Sequence, residues 1–510
     1  MSERPNILLV MADQLAAAHL PAYGNSTVHA PRLTQLAREG VVFERAYCAS
    51  PLCAPSRFSL LAGRRPSSIG AYDNAAELPA GTPTIAHVLR AAGYETTLAG
   101  KMHFVGPDQL HGFEERLTTD VYPSDFDWTP DWRLPAGERL EWYHNTTSLL
   151  SSRVTEAAMQ TDYDDEVCFR AVQKLRDLSL RDGDRPFFLT VSFTNPHDPW
   201  EQRQRYWDLY DERSLALPAV ASIPREHADP HSLRLRDMSL LDERPLSDDE
   251  VRHARHGYYA AISYLDERVG ELLDALAASG LDGSTLVLFT ADHGELLGER
   301  GLWYKMSFLD GSARVPLIAR GPGVAVGRVS GPVSQVDIAP TLASRAGAAA
   351  CEAGFEGTTL ADALAGASSG PGEALGEYLA EGVTSPMVMI RRGRHKYIRC
   401  PGDPDLLFDL DADPSELHNL ADQPEGVAVA AALRAESERR WDLAALEQRV
   451  LESQRERHLV ARALGQGAYT PWDFQPFSDA SFQYVRSDAS RGRCPGRGRP
   501  AGGLPPSTGV

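Results

Sequence analysis

Along this chain, short uninterrupted apolar runs alternate with longer stretches whose apolar residues recur every third or fourth position. The first run, NILLVMAD from Asn6 to Asp13, has the look of a strand buried on both faces in a parallel sheet. It ends in Asp13, and open α/β sheets carry their chemistry at the carboxyl ends of strands. PTIAHVLRAAGYETTLAGKMHF predicts a helix, a glycine stop and a strand: Ile85, Leu89 and Ala92 share a helical face, Gly93 ends it, and Thr96 to Ala99 is extended. RPFFLTVSFTNPHDPW predicts a strand running into a loop that bears His197, and STLVLFTADHGE a strand ending at Asp292 and His293. Between Asp248 and Ser279, the residues Tyr258, Ile262, Leu265, Val269, Leu272 and Leu273 repeat at helical spacing, which predicts a long amphipathic helix facing the core. The expected class is α/β, with a large, mostly parallel sheet flanked by helices.

The pattern changes near residue 370, where ALAGASSGPGEALGE breaks the periodicity. EYLAEG, PMVMIRRG, HKYIRC and DLLFDL follow as short strands with tight turns, predicting a smaller C-terminal domain built on a short antiparallel sheet, with one helix from Pro424 to Ala463 beside it. From Asp488 the chain turns to Arg, Gly, Pro and Ser, which bury too little apolar surface to order themselves. The expected division is a catalytic domain over 1–370, a smaller domain over 371–487 and a disordered tail over 488–510.

The bulk numbers narrow the function classes. A net charge of -19 over 510 residues argues against nucleic acid and against an anionic membrane surface as partners. No segment approaches the roughly 20 apolar residues of a membrane span, and no cleavable leader pattern opens the chain, so the expected location is cytoplasmic. The cysteines at 48, 53, 168, 351, 400 and 494 lack C-x-x-C spacing and read as free thiols.

One of them stands out. Cys53 opens CAPSRFSLLAGR, a C-x-P-x-R arrangement with Pro55 placed to start a helix. The thiol then sits at the positive end of the helix, where anions are stabilised, and Arg57 follows on the first turn.

CAPSR followed by LLAGR resembles the sulfatase motif, whose cysteine is oxidised to formylglycine. The wider match is closer. ADQ at the first strand end, GKMHFVGPDQLHGFEERLTTDVYPSDFDWTPDW, NPHDPW, ADHGE with GLWYKMSF, and WDFQPFSDASFQYVR together resemble the choline sulfatases, a branch of that family within the alkaline phosphatase superfamily. The resemblance runs from residue 6 to about 487. Beyond Arg486 the chain departs from it, because those proteins continue with an acidic, helical-looking segment and this one with a basic tail.

The resemblance implies a hydrated formylglycine at Cys53. One hydroxyl attacks sulfur; deprotonating the other expels sulfate and restores the aldehyde. Asp13, Asp292, His293 and an oxygen of the modified Cys53 would hold one divalent cation. Gln14 and His293 stand where classical arylsulfatases have Asp and Asn, and an imidazole ligand favours Mn2+ or Mg2+ over Ca2+. Arg57, Lys101 and Lys305 supply positive charge for the sulfate and the hydrate, and Asn74 contacts the sulfate or the diol. His103 is the base that deprotonates the diol; read as strand residues, it and Lys101 point the same way. His197 and Lys305 serve the leaving oxygen. A quaternary ammonium is held by aromatic faces and diffuse negative charge, for which Trp128, His144 and Glu381 are the expected pocket; Trp132 reads as loop packing. The implied substrate is choline sulfate, and the implied partners are a formylglycine-generating enzyme and further copies of the chain, as a dimer or tetramer, with WDFQPFSDASFQYVR as an arm between subunits. Two alternatives stay open: a phosphonate monoester hydrolase, phosphodiesterase or arylsulfatase on the same scaffold, and a catalytically silent sulfate-ester binding protein.

Overall fold

The computed structural model describes residues 4–121, 125–135, 138–181, 183, 185–348 and 353–467. The WDFQPFSDASFQYVR segment, the basic tail, Cys351 and Cys494 lie outside these residues.

The buried apolar runs form one eight-stranded sheet. Its strands lie in the order Gly327–Val329, Val41–Phe43, Leu317–Arg320, Thr285–Ala291, Asn6–Ala12, Phe187–Ser192, Glu95–Gly100 and Glu115–Arg116. The last five are mutually parallel, with Leu9 opposite Thr190 on one side and Leu288 on the other. Leu317–Arg320 runs antiparallel to both of its neighbours. Every residue from Ile7 to Ala12 and from Thr285 to Ala291 is buried, as expected for strands covered on both faces.

Two groups of helices flank the sheet. In one, the long helix Asp248–Ala278 packs against Met159–Leu180 and Pro31–Glu39; in the other, Cys53–Ala62 packs with Ile85–Ala91 and Ile338–Arg345. Asp248–Ala278 starts at a reciprocal cap in which the Ser247 hydroxyl accepts from Glu250 N and the Glu250 carboxylate accepts from Ser247 N.

The second sheet is antiparallel and four-stranded: Glu373–Tyr378, Met387–Arg392, His395–Arg399 and Leu406–Asp409. Alternation along its strands splits the side chains between two cores. Val388, Ile390, Tyr397 and Leu407 pack under Ala430 and Leu433 of the helix Val427–Arg440, while Met387, Met389 and Ile398 join the main core. The expected strand at 377–382 is displaced: the ladder ends at Tyr378, and Leu379 to Gly382 form a turn.

The single helix expected from Pro424 to Ala463 is two, Val427–Arg440 and Leu443–Leu464. Trp441 is extended between them, buried, and donates its indole N–H to Glu377 Oε1 at 2.6 Å. Asp442 then caps the next helix by accepting from Ala445 N at 2.9 Å. Continuous helical periodicity hid the break because its cause is a partner 64 residues away.

Candidate active site

Adjacent parallel strands deliver their tips to one edge of the sheet, and the candidate residues collect there. Asp13 follows Asn6–Ala12, Asp292 and His293 follow Thr285–Ala291, Lys101 follows Glu95–Gly100, and His197 lies beyond Phe187–Ser192. The helix Cys53–Ala62 faces this edge with Cys53 as its first residue. Ala54 N donates to Asn74 Oδ1 at 3.0 Å, satisfying one of the free amides at the helix start.

One potential ligand atom from each of Asp13, Cys53, Asp292 and His293 lies within 4.8 Å of the others, and all four residues are buried. Cys53 Sγ is 3.2 Å from His293 Nε2 and 3.9 Å from Asp13 Oδ1. In the modified enzyme the position of Sγ would be taken by an oxygen of the hydrated aldehyde. Two carboxylates, an imidazole and that oxygen suit a hard or borderline divalent cation. Asp13 divides its carboxylate: Oδ2 pairs with Lys101 and Arg57, while Oδ1 faces Cys53 and His293, where such an ion would sit.

Cations crowd the same space. Arg57 donates from Nε to Asp292 Oδ2 at 2.9 Å and from Nη1 to Lys101 O and Ser192 Oγ, both at 2.7 Å; Nη2 stands 3.3 Å from Asp13 Oδ2. Expected to meet the sulfate, this guanidinium is engaged with the ligand carboxylates. Lys101 pairs with Asp13. Burial favours a neutral thiol at Cys53, but Lys305, Lys101 and His293 outweigh it and hold the thiol well below its ordinary range. Such a field suits an anionic nucleophile.

His103 and Lys101 do not share a strand. The ladder ends at Gly100, and His103 takes a left-handed backbone, φ 65°. Asp120 fixes this turn by accepting from Met102 N at 3.1 Å and His103 N at 2.8 Å, while Arg116 holds Asp120 at 2.9 Å. The imidazole interacts with the Cys53 thiol; burial lowers its pKa and Cys53 opposes the fall. The turn bearing His197 hangs from Asp164 on the helix Met159–Leu180, which accepts from Thr194 N at 2.7 Å and Asn195 N at 2.9 Å.

His197 Nδ1 lies 2.6 Å from Asp198 O, and Nε2 lies 2.8 Å from Lys305 Nζ. An ammonium only donates, so Nε2 is the acceptor and the proton of His197 sits on Nδ1, facing the carbonyl. Gln14 completes the network. Its Oε1 accepts from Lys305 at 2.6 Å, and its Nε2 donates to Asp198 Oδ1 at 3.0 Å and Glu295 Oε2 at 2.6 Å. Gln14 is visible in the sequence as a departure from the arylsulfatase pattern; Asp198, Glu295 and Asp120 lie inside the NPHDPW, ADHGE and GKMHFVGPDQLHGFEERLTTD segments, but nothing in the sequence gives them a role.

The leaving-group side is aromatic. His144 stacks on Tyr304 with centroids 4.5 Å apart and lies 6.5 Å from the His197 ring. Burial and Lys305 push its pKa down to about 3, so it adds no positive charge. Trp128, half-buried, meets the His103 ring edge-on at 5.8 Å. Trp132 donates its indole N–H to Ala380 O at 2.7 Å, in keeping with a packing role. Glu381 sits in the turn after Tyr378, buried, and among the described residues its Oε2 has no hydrogen-bond partner. Burial and the nearby Asp73 push its pKa up to about 7. A cavity of about 260 Å³ opens beside it, lined by Tyr143, Trp132 and Met238 among others.

Fold and site together define an α/β protein with a buried cysteine at a helix start beside a cluster able to hold a metal ion, the arrangement of an ester hydrolase of the class the comparisons identify. The family model described as Sulfatase matches residues 5–348, the Choline sulfatase enzyme C terminal model matches 448–492, and the N-sulphoglucosamine sulphohydrolase C-terminal model matches 298–441. The chain belongs to the sulfatase family, in its choline-sulfatase branch. It is 49% identical over 493 residues to the Choline-sulfatase of Rhizobium meliloti, covering 95% of this chain and 96% of that protein. It is 28% identical to an Arylsulfatase of Clostridium perfringens, over 83% of this chain and 91% of that protein. Among solved structures, the Phosphonate Monoester Hydrolase of Agrobacterium radiobacter superposes with a TM-score of 0.68 at 25% identity, covering 88% of this chain and 96% of the other. No helix among the described residues is long and apolar enough to cross a membrane.

Proposed function

We propose that this hydrolase converts choline sulfate and water to choline and sulfate. The observation that carries the substrate is Glu381: a buried carboxylate whose Oε2 has no partner among the described residues, beside the rings of Trp132 and Tyr143 and within electrostatic reach of Lys305 and Cys53. A cationic leaving group uses that charge, whereas a neutral aryl group has no use for it. The 49% identical Choline-sulfatase supports the same reading.

The cation, Ca2+, Mn2+ or Mg2+, and the hydrated aldehyde at residue 53 would supply Lewis acidity and a nucleophilic hydroxyl with a second hydroxyl to be deprotonated. The chain does the rest. Arg57 and Lys101 hold the carboxylates of Asp13 and Asp292 in the orientation the ion needs. His103, kept neutral by burial, is the base beside residue 53. Lys305 holds the proton destined for the departing choline oxygen, and His197 Nε2 orients it. Asn74 fixes the helix start. Trp128, His144 and Glu381 surround the ammonium. The reading includes a formylglycine-generating partner, a cytoplasmic location, a homo-oligomer and the expected boundary near residue 370.

The test pairs an assay with a mass. Purified enzyme should turn over choline sulfate with a higher kcat/KM than an aryl sulfate or an aryl phosphonate, and the peptide bearing residue 53 should carry the aldehyde. A clear preference for the phosphonate would replace this reading by that of a phosphonate monoester hydrolase. An unmodified thiol from cells able to modify the motif, with no turnover, would make the protein a sulfate-ester binder.

A further inference from the structure

Arg457 lies in the helix Leu443–Leu464, 384 residues from Asp73 in sequence, yet its side chain pairs with that carboxylate. Nη1 and Nη2 donate to Asp73 Oδ1 and Oδ2 at 2.5 and 2.7 Å, a two-pronged guanidinium–carboxylate pair. Nη1 also reaches Thr129 Oγ1 at 3.3 Å, and Nε donates to Ser453 Oγ at 3.2 Å. Asp73 is fully buried and Arg457 nearly so.

Each partner of Arg457 adjoins a residue of the site. Asp73 precedes Asn74, which accepts from Ala54 N, and Asp73 Oδ1 also accepts from Ala75 N at 3.0 Å. Thr129 follows Trp128 and closes the short turn Phe126–Trp128 by donating to Phe126 O at 2.7 Å. The same helix face continues the grip: Gln454 Oε1 accepts from Trp132 N at 3.1 Å, and His458 Nε2 lies 3.2 Å from Pro130 O. A single helix face therefore holds both the turn bearing Asn74 and the loop from Trp128 to Trp132.

We propose that Arg457 is a positioning residue for leaving-group recognition: its clamp on Asp73 and Thr129 sets Trp128 against the site and offsets part of the Asp73 charge felt by Glu381. Arg457 touches no reacting atom in this scheme. Without the guanidinium, Asp73 is left as an unpaired buried carboxylate close enough to act on Glu381, Tyr143 and Tyr378. Asp73 then competes with Glu381 for negative charge, and the Trp128 turn loses its anchor. A lysine is a poor substitute, because one ammonium cannot make two parallel bonds to a carboxylate and still reach Thr129.

The inference rests on the choline sulfate reading, and the experiment separates the two. Choline sulfate and 4-nitrophenyl sulfate are compared in the wild type, in Arg457→Lys and in the double variant Arg457→Met with Asp73→Asn. The double variant removes both buried charges and so retains a folded protein where Arg457→Met alone would strand Asp73. The expected result is a rise of about tenfold or more in KM for choline sulfate in Arg457→Lys, kcat falling less, with KM for 4-nitrophenyl sulfate changing by less than about threefold. In the double variant the contact from Arg457 to Thr129 is still lost, so a KM rise confined to choline sulfate persists. If the wild type prefers choline sulfate and both variants keep its KM, losing only thermal stability, the proposal is overturned and Arg457 is structural. If both substrates suffer equally, it is overturned as well. A wild type with no preference for choline sulfate overturns the substrate reading and this proposal together.

Discussion

In the proposed reading Glu381 is the residue on which substrate choice turns, and its chemistry sets a measurable pH dependence. It faces Asp73, Lys305 and the Cys53 position, with the Tyr143 and Tyr378 hydroxyls nearby. Its pKa is raised to about 7, by burial first and then by Asp73. A raised carboxylate is neutral below that pH and charged above it. KM for choline sulfate should therefore fall as pH rises through about 7 and climb by up to about tenfold per pH unit below it, while KM for an aryl sulfate, whose leaving group carries no positive charge, stays nearly flat. Glu381→Gln should remove the difference between the two profiles and raise KM for choline sulfate by about tenfold or more. Parallel profiles for the two substrates in the wild type would take Glu381 out of the binding site.

At the scale of elements, the tight contact between two strands sets the position of Lys101. Gly100 ends its strand at φ +99°, and a Cβ there would lie 1.9 Å from Ser192 O of the neighbouring strand. Ser192 also bonds Arg57. Gly100→Ala should pry these strand ends apart at a cost of about 3 kcal/mol or more in a urea titration, and turnover of every sulfate ester should fall with it. A near-normal midpoint and rate would show that the strand tips tolerate separation.

These elements also show how far the sequence could be read. Strand tips bearing Asp13, Asp292, His293 and His197 were visible, because buried runs and strand-end chemistry are local signals. Pairings across the chain were not. The periodicity of residues 424–463 is helical throughout, and only the Trp441 bond to Glu377 explains its break. Arg57 was assigned to the substrate because its partners depend on strand order, which brings Asp13 and Asp292 to either side of it. His103 reaches the thiol through a left-handed turn held by Asp120, where strand alternation alone would have predicted a shared face with Lys101.

For the whole molecule, the cation ligands come from the two central strands and one helix, so a bound ion ties together segments 240 residues apart. An ion that binds only the folded form raises stability by mass action. Chelation should abolish turnover and lower the melting temperature; adding Mn2+, Mg2+ or Ca2+ singly should restore both, with the order of recovery identifying the preferred ion. Unchanged melting and activity after exhaustive chelation would remove the ion from the site. The oligomeric state is read from light scattering, where a mass of one chain would exclude the expected dimer or tetramer.

The proposed nucleophile rides on a helix packed at the large sheet and the proposed ion ligands and proton donors on its strand tips and loops, whereas Glu381 arrives on a turn of the small sheet. Swapping the short link between Tyr378 and Met387 among related enzymes would thus be an economical route to releasing different alcohols, since the machinery that handles sulfur need not be rebuilt each time.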